Sequence, residues 1–182
     1  MPLGYPPDPL LVESLMTKPL KLPALDPAAV AEVRGTTYPD PFKARVQDRA
    51  KRKLGDVLGL TQFGVNLVTL GPDCESALRH WHTREDEFVY VLSGEVVLVT
   101  DEGEQLLTAG MCAGYPAGRR NAHHFLNRSD RPAQYLEVGT RNADDQARYP
   151  DDDLQWINAQ SRLPDGYKKP TTIAAHKDGR SY

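Results

Sequence analysis

From Phe63 onward, apolar and polar positions alternate in short runs rich in β-branched and aromatic residues. The runs are Phe63–Leu70, Ala77–His82, Glu87–Leu92, Glu95–Thr100, Glu104–Leu107, Met111–Tyr115, Ala122–Leu126 and Ala133–Thr140. Turn residues such as Gly71-Pro72-Asp73, Ser93-Gly94 and Pro116-Ala117-Gly118 separate them. Period-two runs of this length, punctuated this way, predict eight strands in an all-β sandwich or barrel. The flanks differ. The first twenty-five residues are proline-rich and without periodicity, and predict an extended arm. Asp26-Pro27 reads as an N-cap with proline at the first helical position, so a short helix is expected over Ala28–Arg34. The charged stretch Phe42–Gly55 reads as a solvated face rather than an anion-binding patch. After Thr140 the apolar pattern fades, and Trp156 and Ile157 are the main anchors before Ile173. The organisation expected is an arm with a short helical segment over 1–60, a barrel over 61–141, and an irregular C-terminal extension over 142–182. That extension is expected to pack on the barrel or on a partner subunit.

Composition narrows the classes. A chain of 182 residues with 40% hydrophobic and 26% charged residues is globular and sized for one domain. A net charge of −3 provides no basic field for nucleic acid or an anionic membrane. No stretch approaches the ~20 apolar residues of a membrane helix. The N-terminus lacks the basic and apolar regions of a secretory signal, so a cytoplasmic location is expected. Two cysteines, Cys74 and Cys112, make no disulfide framework and are read as free thiols, with Cys112 a small buried hydrophobe.

The chemistry concentrates in Arg79-His80-Trp81-His82-Thr83-Arg84-Glu85-Asp86-Glu87. On a strand, residues two apart share a face, so His80 and His82 can converge on one ion while Trp81 faces away. A turn over Thr83–Asp86 returns the chain, and Glu87 opens the next strand on the face of Val89 and Val91, pointing inward. The remaining histidines are His123, His124 and His176. His123 and His124 face opposite sides of one strand, and patterning does not choose between them.

These stretches resemble the two motifs of the cupin superfamily. His80-x-His82, four residues, Glu87, six residues and Gly94 follow the first, with Gly71 further upstream than usual. Gly110, five residues, Pro116-x-Gly118 and His123-x(3)-Asn127 follow the second. Four residues rather than two stand between Gly118 and the histidine, and the spacing to Asn127 selects His123 over His124. Weaker likeness in Gly64–Val68, Tyr149-Pro150-Asp151 and the closing His-Lys-Asp-Gly points to bacterial cupins labelled sugar-phosphate-isomerase-like or mannose-6-phosphate-isomerase-like. The resemblance implies a double-stranded β-helix, or jelly-roll barrel. It also implies one divalent transition metal on His80, His82, Glu87 and His123, and homodimerisation. Three imidazoles and a carboxylate suit Mn, Fe, Co, Ni or Zn and leave one or two positions open. The expected partner is a small oxygenated substrate, such as a sugar, sugar phosphate or carboxylic acid. The metal would polarise it for isomerase- or lyase-like chemistry. A metal-dependent dioxygenase and a non-catalytic ligand-binding cupin are the alternatives. Tyr90, Tyr115, Tyr135, Glu137 and His124 are candidate proton carriers, and Arg119 and Arg120 candidate anion contacts at the barrel mouth.

Overall fold

The computed structural model of the chain describes residues 20–162, 168–180 and 182, apart from the side chains of 157–173. Each of the eight expected runs contains a strand, though Ala77–His82 is strand only at Trp81–His82 and Ala122–Leu126 only at His124–Leu126. After β1 (Glu32–Arg34) and β2 (Arg49–Lys53) come β3 (Phe63–Leu70), β4 (Trp81–His82), β5 (Glu87–Ser93) and β6 (Glu95–Thr100). β7 (Gly103–Thr108), β8 (Cys112–Tyr115), β9 (His124–Leu126) and β10 (Ala133–Thr140) complete the barrel strands, and β11 (Ala147–Arg148), β12 (Gln155–Arg162) and β13 (Lys168–Ala175) follow. A six-stranded sheet runs β1-β2-β3-β10-β5-β8, faced by a three-stranded sheet β7-β6-β9 and a four-stranded sheet β13-β12-β11-β4. All the strand pairs are antiparallel. The fold is the all-β jelly roll expected, and among the described residues no helix is long and apolar enough to cross a membrane.

Alternation places the core. Val89 and Val91 on β5, Val68 and Leu70 on β3, Val96 and Leu98 on β6, with Phe125 and Tyr135, form one buried cluster between the facing sheets. Each such aliphatic side chain contributes about 1.5–3 kcal/mol when fully buried. A second cluster joins Tyr38, Phe42, Val46, Leu78, Tyr149 and Leu154 beneath the four-stranded sheet.

The structure departs from the sequence reading in four places, three of them in the flanks. Asp26 does cap, accepting the Ala28 amide at 2.8 Å, but the helix is a single 3₁₀ turn, Pro27–Ala29, followed by β1. Pairing of Val33 with Lys51 across β1 and β2 outcompetes further helix. The 42–55 stretch is not a plain solvated face: Arg45, Arg49, Lys51 and Arg52 are half-buried, because β2 pairs with β3 inside the large sheet. The tail expected to be irregular supplies β11–β13, whose backbone pairing periodicity alone did not reveal. Cys112 is exposed rather than buried, because it lies on the outer face of edge strand β8; both cysteines are free thiols, as expected. Most of the proline-rich arm lies outside the described residues.

Asn127 shows why that position needs an amide. It is 1% exposed; its Nδ2 donates to the carbonyls of Leu70 and Arg131 at 2.9 and 2.7 Å, while its Oδ1 accepts from the Ser129 amide at 3.0 Å and hydroxyl at 2.7 Å. Gly94 closes the β5–β6 turn at φ 72°, and a Cβ there would lie 2.9 Å from Ala133 Cα. Asn127→Ala is expected to lower unfolding free energy by about 2–4 kcal/mol, since it strands buried acceptors and donors. Gly94→Ala should cost at least about 1–2 kcal/mol from backbone strain alone. Urea denaturation of each variant checks both values.

Candidate metal centre

The sheets meet where His80 and His123 exchange backbone hydrogen bonds: His123 N donates to His80 O at 2.8 Å, and His80 N donates to His123 O at 3.1 Å. This bridge sets two imidazoles side by side, with ring centroids 5.1 Å apart. His82, two residues along, places its ring 5.0 Å from that of His80. Glu87 enters from the first position of β5, inward like Val89 and Val91. Its Oε2 lies 3.0 Å from His123 Nε2, 3.7 Å from His82 Nε2 and 3.9 Å from His80 Nε2. The four residues named from the motifs are therefore brought together, with three Nε2 atoms around one carboxylate oxygen. His124 turns the other way, its Nδ1 3.1 Å from Ala77 O and 3.4 Å from Glu75.

Hydrogen bonds behind the rings fix their orientation. His80 Nδ1–H donates to Leu78 O at 2.8 Å, and His82 Nδ1–H donates to Asp145 Oδ2 at 2.6 Å. With the proton held on Nδ1, each ring presents its Nε2 lone pair to the cluster. Asp145 also accepts the Arg84 amide at 2.7 Å and the Thr83 hydroxyl at 3.2 Å, so it pins the turn that returns the chain to Glu87. Asp86 pins the other side, accepting from Ala117 N at 2.7 Å, while Gly118 N donates to His82 O at 2.9 Å. The Pro-x-Gly turn is thus fastened to the ligand strand, and the two extra residues before His123 leave the His80–His123 bridge intact. His123 lies flat against Tyr115, with ring centroids 3.4 Å apart and planes 6° apart; its Nδ1 is buried with no hydrogen-bond partner.

The electrostatics fit a cation. Burial pulls the His80 imidazole down to about 4, so it is neutral near pH 7. Burial alone would raise Glu87; the His123 contact and the other imidazoles outweigh it and hold the carboxyl well below the usual range. His82 feels the same desolvation, but Asp145 and Glu87 outweigh it and raise its pKa. The neutral His80 ring, its proton held on Nδ1, aims its Nε2 lone pair at the ionised Glu87, a repulsive contact unless a cation lies between them. A mixed nitrogen and oxygen set of this kind suits a divalent transition metal. The atoms of His80, Glu87 and His123 lie within 4.8 Å of one another. A second group, His82, Glu85 and Asp145, meets the same criterion. Its members serve structural bonds: Asp145 orients His82, and Glu85 accepts the Asn142 amide at 2.6 Å.

Three cavities reach this cluster, and His82 and Glu87 line all of them. One, of about 160 Å³, opens past Trp81, Tyr115 and Arg119. A second, of about 200 Å³, runs inward past Tyr38, Arg49, Lys51, Tyr135 and Glu137. The third, of about 280 Å³, lies toward Lys53, Asn66 and Arg141. The remaining sequence candidates divide accordingly. Tyr90 points outward and is exposed. Glu137 is held by Lys51 at 2.7 Å and Asn66 at 3.0 Å. Arg120 sits 5.8 Å over the Trp81 ring, and Arg119 lies 3.8 Å from Glu102. Sequence reasoning missed Asp145, Arg49 and Lys51. Asp145 stood in an acidic run with no pattern, and the other two in a charged stretch whose inward alternation Arg49, Lys51 was the overlooked signal.

Comparison with known proteins supports the fold. Residues 66–139 match the cupin domain family. A sugar phosphate isomerase structure of the cupin superfamily from Silicibacter pomeroyi DSS-3 shares 41% identity and a TM-score of 0.78, covering 88% of this chain and 96% of that one. A structure provisionally named sugar phosphate isomerase, from Acidithiobacillus ferrooxidans ATCC 23270, shares 31% identity and a TM-score of 0.57, covering 59% of this chain and 69% of that one. A polyketide cyclase from Streptomyces resistomycificus, 22% identical with a TM-score of 0.52, covers 64% of this chain and 78% of its own and shares the fold alone. No curated protein matches the chain. With two histidines, a glutamate and a third histidine drawn together inside a jelly roll, the chain belongs to the cupin superfamily.

Proposed function

We propose that this cupin is a metal-dependent enzyme acting on a small oxygenated substrate, with isomerase- or lyase-like chemistry. The observation that carries the reading is the convergence of His80, His82 and His123 Nε2 on Glu87 Oε2 within 3.0–3.9 Å. These four residues would hold one ion of Mn, Fe, Co, Ni or Zn. When bound, such an ion polarises a carbonyl or hydroxyl oxygen of the substrate. The names of the two more similar relatives, one a sugar phosphate isomerase and the other provisionally named so, support the same class.

Isomerisation also needs a proton carrier. Glu137 is the candidate best placed, on the wall of the inner cavity that also holds His82 and Glu87. Burial raises its pKa, but Lys51 and Asn66 outweigh this and keep it an ionised acceptor. In this reading Glu137 takes a proton from the substrate carbon and returns it to the neighbouring carbon, while Lys51 holds the carboxylate in place.

A homodimer is part of the proposal. Val65, Val138 and Phe88 are in register across β3, β10 and β5, as are Leu67, Leu136 and Tyr90. Phe88 and Tyr90 are exposed on this apolar sheet face, which suits a second copy of the chain.

Untagged protein is expected to carry close to one transition-metal equivalent by elemental analysis; less than about a tenth, with none taken up on addition, refutes the reading. Removing the metal should lower stability by about 2.7 kcal/mol where the ion stands at a hundred times its Kd, read as a fall in Tm. Asp145→Ala should weaken metal affinity about 10–100-fold by releasing the His82 ring. Glu137→Gln should lower turnover about 10²–10⁴-fold with metal content unchanged, followed as loss of substrate C–H signals by proton NMR in D₂O. Oxygen uptake coupled to substrate loss would instead favour a dioxygenase, and tight ligand binding without turnover a binding protein.

A further inference from the structure

Five lysines and arginines are half-buried among the described residues. Four meet carboxylates: Arg45 meets Glu75 and Asp152, Lys51 meets Glu137, Arg52 meets Glu32, and Arg79 meets Asp151 and Asp101. Arg49 meets none. One of its terminal nitrogens donates to the Ser76 carbonyl, and its Nε is buried without a partner. Tyr135, 1% exposed, likewise completes no hydrogen bond of normal geometry through its hydroxyl. Both residues line the cavity of about 200 Å³ that is also lined by His80, His82, Glu87 and His123.

Leaving a polar group buried and unpaired costs about 1–3 kcal/mol, and more for a charged one. Arg49 Nε–H can only donate, and Tyr135 stays a phenol because burial drives its pKa far up, against a weak pull from Arg49 and Ser76. Two buried polar atoms, Arg49 Nε and the Tyr135 hydroxyl, thus belong to residues lining one cavity and lack a partner of normal geometry. The charged side chains lining that cavity, histidines aside, are Arg49, Lys51, Glu87 and Glu137, and Glu87 is engaged by the three imidazoles. Glu137 is already occupied by Lys51 and Asn66, so the uncompensated charge is that of Arg49.

We propose that Arg49 and Tyr135 form the recognition site for an oxyanion of the substrate, a carboxylate or a phosphate. The oxyanion accepts from Arg49 Nε and from the Tyr135 hydroxyl, while the substrate's carbonyl or hydroxyl end reaches toward the histidine–glutamate cluster. The inference rests on the reading of that cluster as the reaction centre, and it makes both residues specificity determinants that touch no metal ligand role.

The test titrates glycolate, inorganic phosphate and the uncharged isostere glycolamide into the protein by calorimetry. It is run with cobalt(II) bound, its visible spectrum reporting the metal, and again after chelation. Glycolate or phosphate is expected to bind at least about tenfold more tightly than glycolamide. Arg49→Gln should erase that preference and Tyr135→Phe reduce it, with the cobalt spectrum unchanged before ligand is added. Glycolate dominance assigns a carboxylate, and phosphate dominance a phosphate ester. Equal binding of glycolate and glycolamide, no binding of either anion, or an unchanged preference in Arg49→Gln would overturn the proposal. Should Arg49→Gln not fold, Arg49→Lys takes its place, and the wild-type comparison of charged and neutral probes decides by itself. Absence of a cobalt spectrum would count against the metal reading alone, because anion preference is still measured on the metal-free protein.

Discussion

The reciprocal backbone pair between His80 and His123 is the constraint on which the site depends. Forty-three residues of chain separate the two positions, yet two amide hydrogen bonds lock them at one height in the barrel. Every other feature follows from that register. The first imidazole fixes the second through the strand period, the turn pinned by Asp145 and Asp86 fixes Glu87, and the flat contact with Tyr115 fixes the third imidazole. A slip of one residue would turn His124 inward in place of His123, because side chains alternate with period two. His124 instead answers to Glu75, itself paired with Arg45. That separate buried network opposes the slip.

Electrostatically, the cluster gathers like with like. Lone pairs and a carboxylate share a desolvated space, and the barrel holds them together through bonds made on the far side of each ring. Leu78 O and Asp145 hold the Nδ1 protons of His80 and His82, which turns both Nε2 atoms toward Glu87. Such crowding is tolerated because two hydrophobic clusters flank it. His80 stacks over Tyr149 of one, with centroids 5.7 Å apart, and Tyr115 packs against the other.

The barrel was legible because period-two alternation is a local signal. Phe63–Leu70, Glu95–Thr100 and Ala133–Thr140 have the boundaries their patterns predict. The histidine–glutamate grouping was legible because ligand spacing on a hairpin is local too, while the choice of His123 needed the resemblance, since alternation alone treats both histidines alike. What escaped is what depends on distant partners. Asp145 lies 63 residues from His82, and nothing around it marks it as a hydrogen-bond acceptor for a ring. Arg49 and Lys51 sat in a run whose charge masked its alternation, and β12 and β13 are ordered by backbone pairing with each other. Ala28 and Ala29 illustrate the reverse error: a sound cap began a helix that pairing between β1 and β2 ended after one turn.

Asp145 joins the segment after the barrel to the ligand turn, and β11 pairs directly with β4. Tail and cluster therefore form one cooperative unit. Local opening that peels β11 from β4 must also release the His82 ring and the Thr83–Arg84 backbone, so the amides of β11 and those of the Thr83–Asp86 turn share an opening free energy. An ion held by the cluster slows hydrogen exchange at both, and a tail that frays loosens the ion. Were the cluster to hold an ion, as proposed, Asp145 would tie the extension to its affinity through the His82 ring.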